Sequence, residues 1–239
     1  MTPPLTAPER LDSTLRSQGY AVLDAETVRE LAHCESKELQ ALRPSWDDLP
    51  PDGYLKDGGH YRRRRHSCFV VTSEVTQVPH RAHWQPVEYN ALHGGMQRWF
   101  EPVEPAVVGS TAWQGLLRSV GATCSALKGD RPWYVEAHQF RIDTEGGIGR
   151  PTPEGAHRDG VDLVAVFLVD REGIKGGETR VFEAAGPAGQ RFTLTEPWSV
   201  LLLDDERVIH ESTPIQPTGK AGHRDTLVLT YRAGGFQGG

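Results

Sequence analysis

The chain has 239 residues, 37% apolar and 24% charged, with 26 Gly and 17 Pro dispersed along it. That length buries a substantial core without disulfides or a structural metal, and that composition excludes wholesale disorder. Lys and Arg number 26 against 32 Asp and Glu, a net charge of −6, so no global positive field exists to hold a phosphate backbone, and nucleic acid is not expected as a partner.

No apolar run approaches the roughly 20 residues of a membrane helix. The start, Met1-Thr-Pro-Pro-Leu5, lacks the basic-then-apolar order of a secretory signal, so a cytoplasmic protein is expected. Cys34, Cys68 and Cys124 are odd in number, far apart and without a CxxC pair. They read as small buried hydrophobes, not as a disulfide framework or a zinc knuckle.

In chain order, Asp24 is a candidate N-cap, after which Val28, Leu31, Glu35, Leu39 and Leu42 recur at helical spacing until Pro44 ends the run. A loop dense in Pro, Gly and Asp fills 50–59. It leads into Tyr61-Arg-Arg-Arg-Arg-His-Ser-Cys-Phe-Val-Val-Thr72, which ends as a strand. A helix interrupted by Gly94-Gly95 is expected from Pro86 to Phe100. A second, with the apolar stripe Trp113, Leu116, Leu117, Val120, Cys124 and Leu127, follows Ser110 and Thr111. From Trp133 the texture changes to short runs bounded by Gly, Pro or Asp: 133–142, 161–169, 179–183, 191–194, 199–203, 208–210 and 226–232. These predict a mainly β protein, a jelly roll with flanking helices. One domain is expected over 1–239, with 1–130 a helical lead-in plus a supporting strand and 131–233 the jelly-roll core.

Several catalytic motifs are missing. There is no GxSxG, and Gly146-Gly-Ile-Gly149 lacks the third glycine and the preceding apolar strand of a dinucleotide site. His157-Arg-Asp159 matches the kinase catalytic loop in three letters only, with no Asn five residues on and no VAIK lysine before it. What remains is His157-x-Asp159 at the mouth of the apolar run 161–169, and His210 after the apolar run Val200-Leu-Leu-Leu203. In extended chain, residues i and i+2 point to one side, so His157 and Asp159 converge and His210 can join them from a neighbouring strand. Two imidazoles and a carboxylate on one face of an octahedron leave three positions open, the arrangement of non-haem Fe(II) oxygenases; zinc prefers four-coordinate closure.

A second tripeptide, His223-Arg-Asp225, is a rival metal pair, but no histidine follows it. Its better use is Arg224, which with Thr226 presents a planar fork and a hydroxyl on one face of the last strand, suited to the far end of a dicarboxylate. Arg232 lies on the same face if the alternation is unbroken and competes for that role.

His157-x-Asp159, His210 and Arg224-x-Thr226, in that order, resemble the double-stranded β-helix Fe(II)/2-oxoglutarate dioxygenases. Five longer runs are similar to the bacterial family typified by L-isoleucine 4-hydroxylase: Gly155-Ala-His-Arg-Asp-Gly-Val-Asp162, Gly176-Gly-Glu-Thr179, 194–205, His210-Glu-Ser-Thr-Pro-Ile215 and 222–232. The likeness is good over 136–232 and looser before it, resting there on the arginine-rich strand after Tyr61. It implies Fe(II) held by His157, Asp159 and His210, 2-oxoglutarate as cosubstrate with its distal carboxylate on Arg224 and Thr226, and O2. It also implies release of succinate and CO2 as the side chain of a free aliphatic L-amino acid is hydroxylated or sulfoxidised. Two alternatives stay open: a cupin-like metalloenzyme that needs no 2-oxoglutarate, and a non-catalytic small-ligand-binding jelly roll.

Within Arg62–Arg65 a strand sends Arg62 and Arg64 to one side and Arg63 and Arg65 to the other. Arg62 and Arg64 are candidates to hold an acidic group of the substrate, because buried arginine needs a carboxylate partner. Gln139 and Arg141 either line the barrel as further substrate ligands or pair with it. Asp204, Asp205 and Glu206 read as a solvated turn, Trp198 as core, and His33, His80, His83 and His93 as surface or structural. The Gly- and Pro-rich stretch 145–155 is a candidate lid over a small molecule.

Overall fold

Alternation along three long strands decides the architecture. In the computed structural model, which describes residues 1–238, the helices are α1 (Leu11–Gln18), α2 (Ala25–Leu31), α3 (Ser36–Leu42), α4 (Pro105–Val108) and α5 (Thr111–Lys128). The strands are β1 (Tyr20–Leu23), β2 (Arg62–Val71), β3 (Val75–Gln77), β4 (Trp133–Asp143), β5 (Leu163–Glu172), β6 (Ile174–Gly176), β7 (Thr179–Glu183), β8 (Gly189–Phe192), β9 (Val200–Asp204), β10 (Val208–Ser212), β11 (Ile215–Pro217) and β12 (His223–Ala233). A seven-stranded sheet runs in the order β1-β9-β5-β12-β4-β2-β3, facing smaller sheets β10-β7-β8 and β11-β6. All named pairings are antiparallel. This is the expected double-stranded β-helix.

On the outer face of the large sheet, Val135 and Ala137 of β4, Leu163, Ala165, Phe167 and Val169 of β5 and Leu227, Leu229 and Tyr231 of β12 join one apolar core with Trp113, Leu116, Leu117 and Val120 of α5. The alternate residues Val164 and Leu168 point the other way, into a second core with Val181, Phe192, Leu201, Leu203 and Val208 between the sheets. Helix α5 begins where the sequence places it, with Ser110 Oγ accepting from the Trp113 N–H. Tyr231 Oη donates to the Leu117 carbonyl at 2.7 Å, fixing the helix on the sheet.

Three expectations change. The run 24–44 is two helices, because Ala32, His33 and Cys34 turn the chain, His33 at φ 50°. The segment Pro86–Phe100 contains no helix. Its backbone groups are used in turns and a bridge instead: Gly94 N–H donates to the Asn90 carbonyl at 2.7 Å, His93 N–H to Asn90 Oδ1 at 2.8 Å, and His83 and Arg98 form a two-way backbone bridge at 2.9 Å. The lead-in also does more than support, since β1, β2 and β3 occupy both edges of the large sheet. Among the described residues, no helix is long and apolar enough to cross a membrane.

Candidate active site

The mouth between the two sheets is closed by a small antiparallel bridge in which His157 and His210 exchange both backbone hydrogen bonds at 3.0 Å. Their rings stand 4.7 Å apart. Asp159 completes the group, with Oδ1 3.9 Å from His157 Nε2 and Oδ2 3.9 Å from His210 Nε2. These separations are too long for hydrogen bonds, yet the three ligand atoms lie within 4.8 Å of one another.

Local structure fixes each donor. His157 Nδ1–H donates to the Gly155 carbonyl at 3.0 Å, which leaves the Nε2 lone pair facing inward. The loop carrying Asp159 is held by Asp205, whose carboxylate accepts from the backbone N–H groups of Asp159, Gly160 and Val161 at 3.0, 2.7 and 3.1 Å. Gly160 is required there: its φ is +74°, and a Cβ would stand 2.4 Å from the Tyr89 ring. Asp205 is therefore buried and structural, not part of a solvated turn. Asp204 is likewise buried and bonds Lys128 Nζ at 2.9 Å.

Burial raises the Asp159 carboxyl to about 7, although His157 pulls the other way. Burial drives His210 well below the usual imidazole range, so its ring is neutral. Glu154 adds a further carboxylate, Oε1 lying 3.7 Å from His157 Nε2. A neutral imidazole and the Asp159 carboxylate strained by desolvation, facing one point, fit a divalent cation that leaves positions open to other ligands.

This group opens on a cavity of about 130 Å³ between the sheets. Arg224 and Thr226 of β12 line it, both buried. Arg224 makes no ion pair among the described residues, and burial, then Arg171, lowers its guanidinium to about 10. Arg232 reaches the same cavity roughly 25 Å further along the strand. There it donates to the Gly235 carbonyl at 2.6 Å.

Arg62 and Arg64 also line the cavity, but both face Asp52, at 2.7 and 3.7 Å. Arg64 further lies 3.8 Å from the Phe100 ring centroid and 2.6 Å from His138 Nδ1. Gln139 and Arg141 do not reach the cavity. The alternation of β4 sends Glu136, His138 and Phe140 inward and these two outward. Gln139 Nε2 donates to Ser45 Oγ at 2.8 Å, and Arg141 forks onto Asp225 at 2.7 and 2.8 Å. Asp225 and His223 face the same outer side, where His223 Nε2 meets Asp170 at 3.0 Å. The second tripeptide therefore does not join the first group.

Several residues in and beside the cavity lie outside the site expected from the sequence. His83, read as surface or structural, is buried and donates through Nδ1 to Glu136 Oε2 at 2.5 Å, while His66 Nε2 donates to the same oxygen at 2.9 Å. Burial would raise Glu136, but these imidazoles outweigh it and hold the carboxyl far below its usual range. Gln85 Nε2 donates to Asp159 Oδ1 at 3.2 Å, and Arg98 donates to Gln85 Oε1 at 3.0 Å. Period-two alternation in β2 and β4 could have found His66, Glu136 and His138. Nothing local marks Gln85 or Arg98, which come from the irregular 79–100 segment.

The fold and this site define a 2OG-Fe dioxygenase: the chain matches that family over residues 43–230 and belongs to it. It is a family enzyme whose cofactors are Fe(II) and 2-oxoglutarate. Among solved structures it is 53% identical to a bsmA homolog from Methylobium petroleophilum PM1, with a TM-score of 0.93 over 99% of this chain and 98% of that one. IDO from Bacillus thuringiensis is similar at 18% identity and a TM-score of 0.77, covering 94% of this chain and 98% of that one. TqaL, an Fe(II)/α-ketoglutarate-dependent dioxygenase, is similar at 19% and 0.72, covering 94% and 86%. At those two identities the likeness is one of fold. No curated protein matches the chain.

Proposed function

We propose that the protein oxidises the side chain of a free aliphatic or thioether L-amino acid, with His157, Asp159 and His210 holding the iron and Arg224, assisted by Thr226, holding the distal carboxylate of 2-oxoglutarate. The observation that carries this reading is one small cavity with the three ligand atoms at its mouth and, on its β12 wall, a buried guanidinium without a carboxylate of its own.

Iron bound there supplies the activation of O2 that couples decarboxylation of 2-oxoglutarate with oxidation of a C–H bond or a sulfur. The chain's share is placement. His157 keeps Nε2 free by donating its Nδ1–H to the Gly155 carbonyl, and Asp205 holds Asp159 through its loop. Arg224 offers its fork to an incoming dicarboxylate, and the Thr226 hydroxyl adds one bond. Arg224 is preferred to Arg232 because Arg232 already serves the Gly235 carbonyl. Val161, Val166 and Val228 give the cavity apolar wall for a short alkyl chain, which must be held close to the metal for reaction. No side-chain general base is needed, and the cavity's confined volume favours a small molecule over a polypeptide.

The test is incubation with Fe(II), 2-oxoglutarate, ascorbate and each proteinogenic amino acid, measuring succinate and a mass gain of one oxygen. One or more aliphatic or thioether amino acids should be oxidised. Oxidation of a peptide or a carrier-bound acyl group instead would end the small-substrate reading and leave the iron chemistry standing.

A further inference from the structure

The cavity holds five charged side chains besides Asp159 and the β12 arginines, and they are not equally satisfied. Arg62 and Arg64 share the carboxylate of Asp52, whose side chain is fully buried between them, although Arg62 Nη2 and Arg64 Nε are left without a hydrogen-bond partner. Glu136 receives imidazole N–H groups from His66 and His83. Two groups of opposite sign remain. Arg98 is 2% exposed and, among the described residues, has no carboxylate within 4 Å; its side chain donates to neutral Gln85 and leaves Nε buried without a partner. Glu154 has Oε2 buried without a partner, and its other oxygen stands 3.7 Å from His157 Nε2. Both line the same cavity, and the Glu154 charge favours the charged form of Arg98.

A buried charge without an opposite charge beside it is strongly unfavourable, so a chain that keeps one of each sign in a single cavity has left room for a ligand that supplies both. We infer that Arg98 and Glu154 form a zwitterion clamp, Arg98 taking the α-carboxylate and Glu154 the α-ammonium of a free amino acid. This rests on the reading of the substrate as a free amino acid and replaces Arg62 and Arg64 as its anchor. Glu154 is chosen over Glu136 because Glu136 already has its hydrogen bonds. Arg98 is also registered to the metal group: its NH2 bonds Gln85 Oε1, and Gln85 Nε2 bonds Asp159 Oδ1. One amide thus fixes the distance between the carboxylate anchor and a metal ligand, which sets which carbon of the side chain faces the iron.

The experiment is calorimetry under argon on the protein loaded with Fe(II) and 2-oxoglutarate. L-leucine, L-isoleucine and L-methionine are titrated beside 4-methylpentanoate, which lacks the amine, and 3-methylbutylamine, which lacks the carboxylate. Arg98→Gln should weaken the amino acids and the acid by about thirty-fold or more, the loss expected for one partner of a buried charge pair, and leave the amine unchanged. Arg98→Lys, which keeps the charge and loses the fork, should fall between, and it serves if the glutamine variant does not fold. Glu154→Gln should weaken the amino acids and the amine while sparing the acid, at unchanged iron content. Unchanged amino-acid binding in both variants, or the loss appearing instead in Arg62→Gln, overturns the clamp and leaves the free-amino-acid reading intact. Reduced iron in Glu154→Gln makes Glu154 a metal ligand and overturns its half. If no amino acid binds the wild type, the substrate reading itself fails, and the clamp with it.

Discussion

The same three letters, His-Arg-Asp, occur twice in this chain and do opposite things. At His157–Asp159 the imidazole and the carboxylate turn inward to meet His210, while Arg158 faces outward and donates to the Glu206 carbonyl. At His223–Asp225 the arginine turns inward to the cavity, while the histidine and the aspartate turn outward to Asp170 and Arg141. The second copy lies in β12, paired with β4 on one side and β5 on the other, so alternation sets Arg224 against His223 and Asp225 and the packing of the sheet decides which side is inward. The first copy lies in a loop whose direction is fixed by Asp205 and by Gly160. A tripeptide carries chemistry only through the backbone that aims it.

The sharpest way to break this contrast is to remove the histidines. His157→Ala or His210→Ala should abolish iron retention and succinate release with the fold kept. His223→Ala should keep both, read by metal content after anaerobic loading; the reverse pattern would exchange the two tripeptides. The aspartates separate stability from function. Asp225→Ala leaves Arg141 without its buried fork and should cost about 3 kcal/mol, seen as a fall of roughly 6–12 °C in Tm, with iron content unchanged. The arginines should differ as strongly. Arg224→Ala should raise the Kd for 2-oxoglutarate by about thirty-fold, whereas Arg158→Ala should change it by less than about twofold, the range of ordinary surface substitutions. A gentler probe is Asp205→Asn, which weakens the hold on the Asp159 loop without touching the metal group. Turnover should fall about tenfold, as for outer-shell partners of metal ligands. A null result there would mean that Gly160 and the strand ends suffice to aim Asp159.

Much of the site is legible before folding because it rests on short-range geometry. His157 and Asp159 are two apart, as are Arg224 and Thr226 and as are Arg62 and Arg64, and extended chain places each pair on one side. The same rule, applied one residue out of phase, misdirects Gln139 and Arg141: which face of β4 is inward depends on its pairing with β2 and β12, not on its own sequence. Asp205 shows the complementary failure. Its neighbours Asp204 and Glu206 suggest water, and only the return of the 159–161 backbone beside it supplies the three N–H groups that justify burying it.

By itself, then, the sequence determined the periodicities: apolar alternation for a jelly roll, a helical stripe for α5, and the residue types of the proposed iron and 2-oxoglutarate site, since these depend on residues a few positions apart. The tertiary structure decided which face of each strand looks inward and which charges are already partnered. Arg62 and Arg64 meet Asp52, while Arg98, brought in by the irregular 79–100 segment, meets neutral Gln85 and, among the described residues, no carboxylate within 4 Å. The physical reason is that compensation of a buried charge is a matter of what lies within about 4 Å in space, and the partners here come from separate elements whose docking no local pattern encodes.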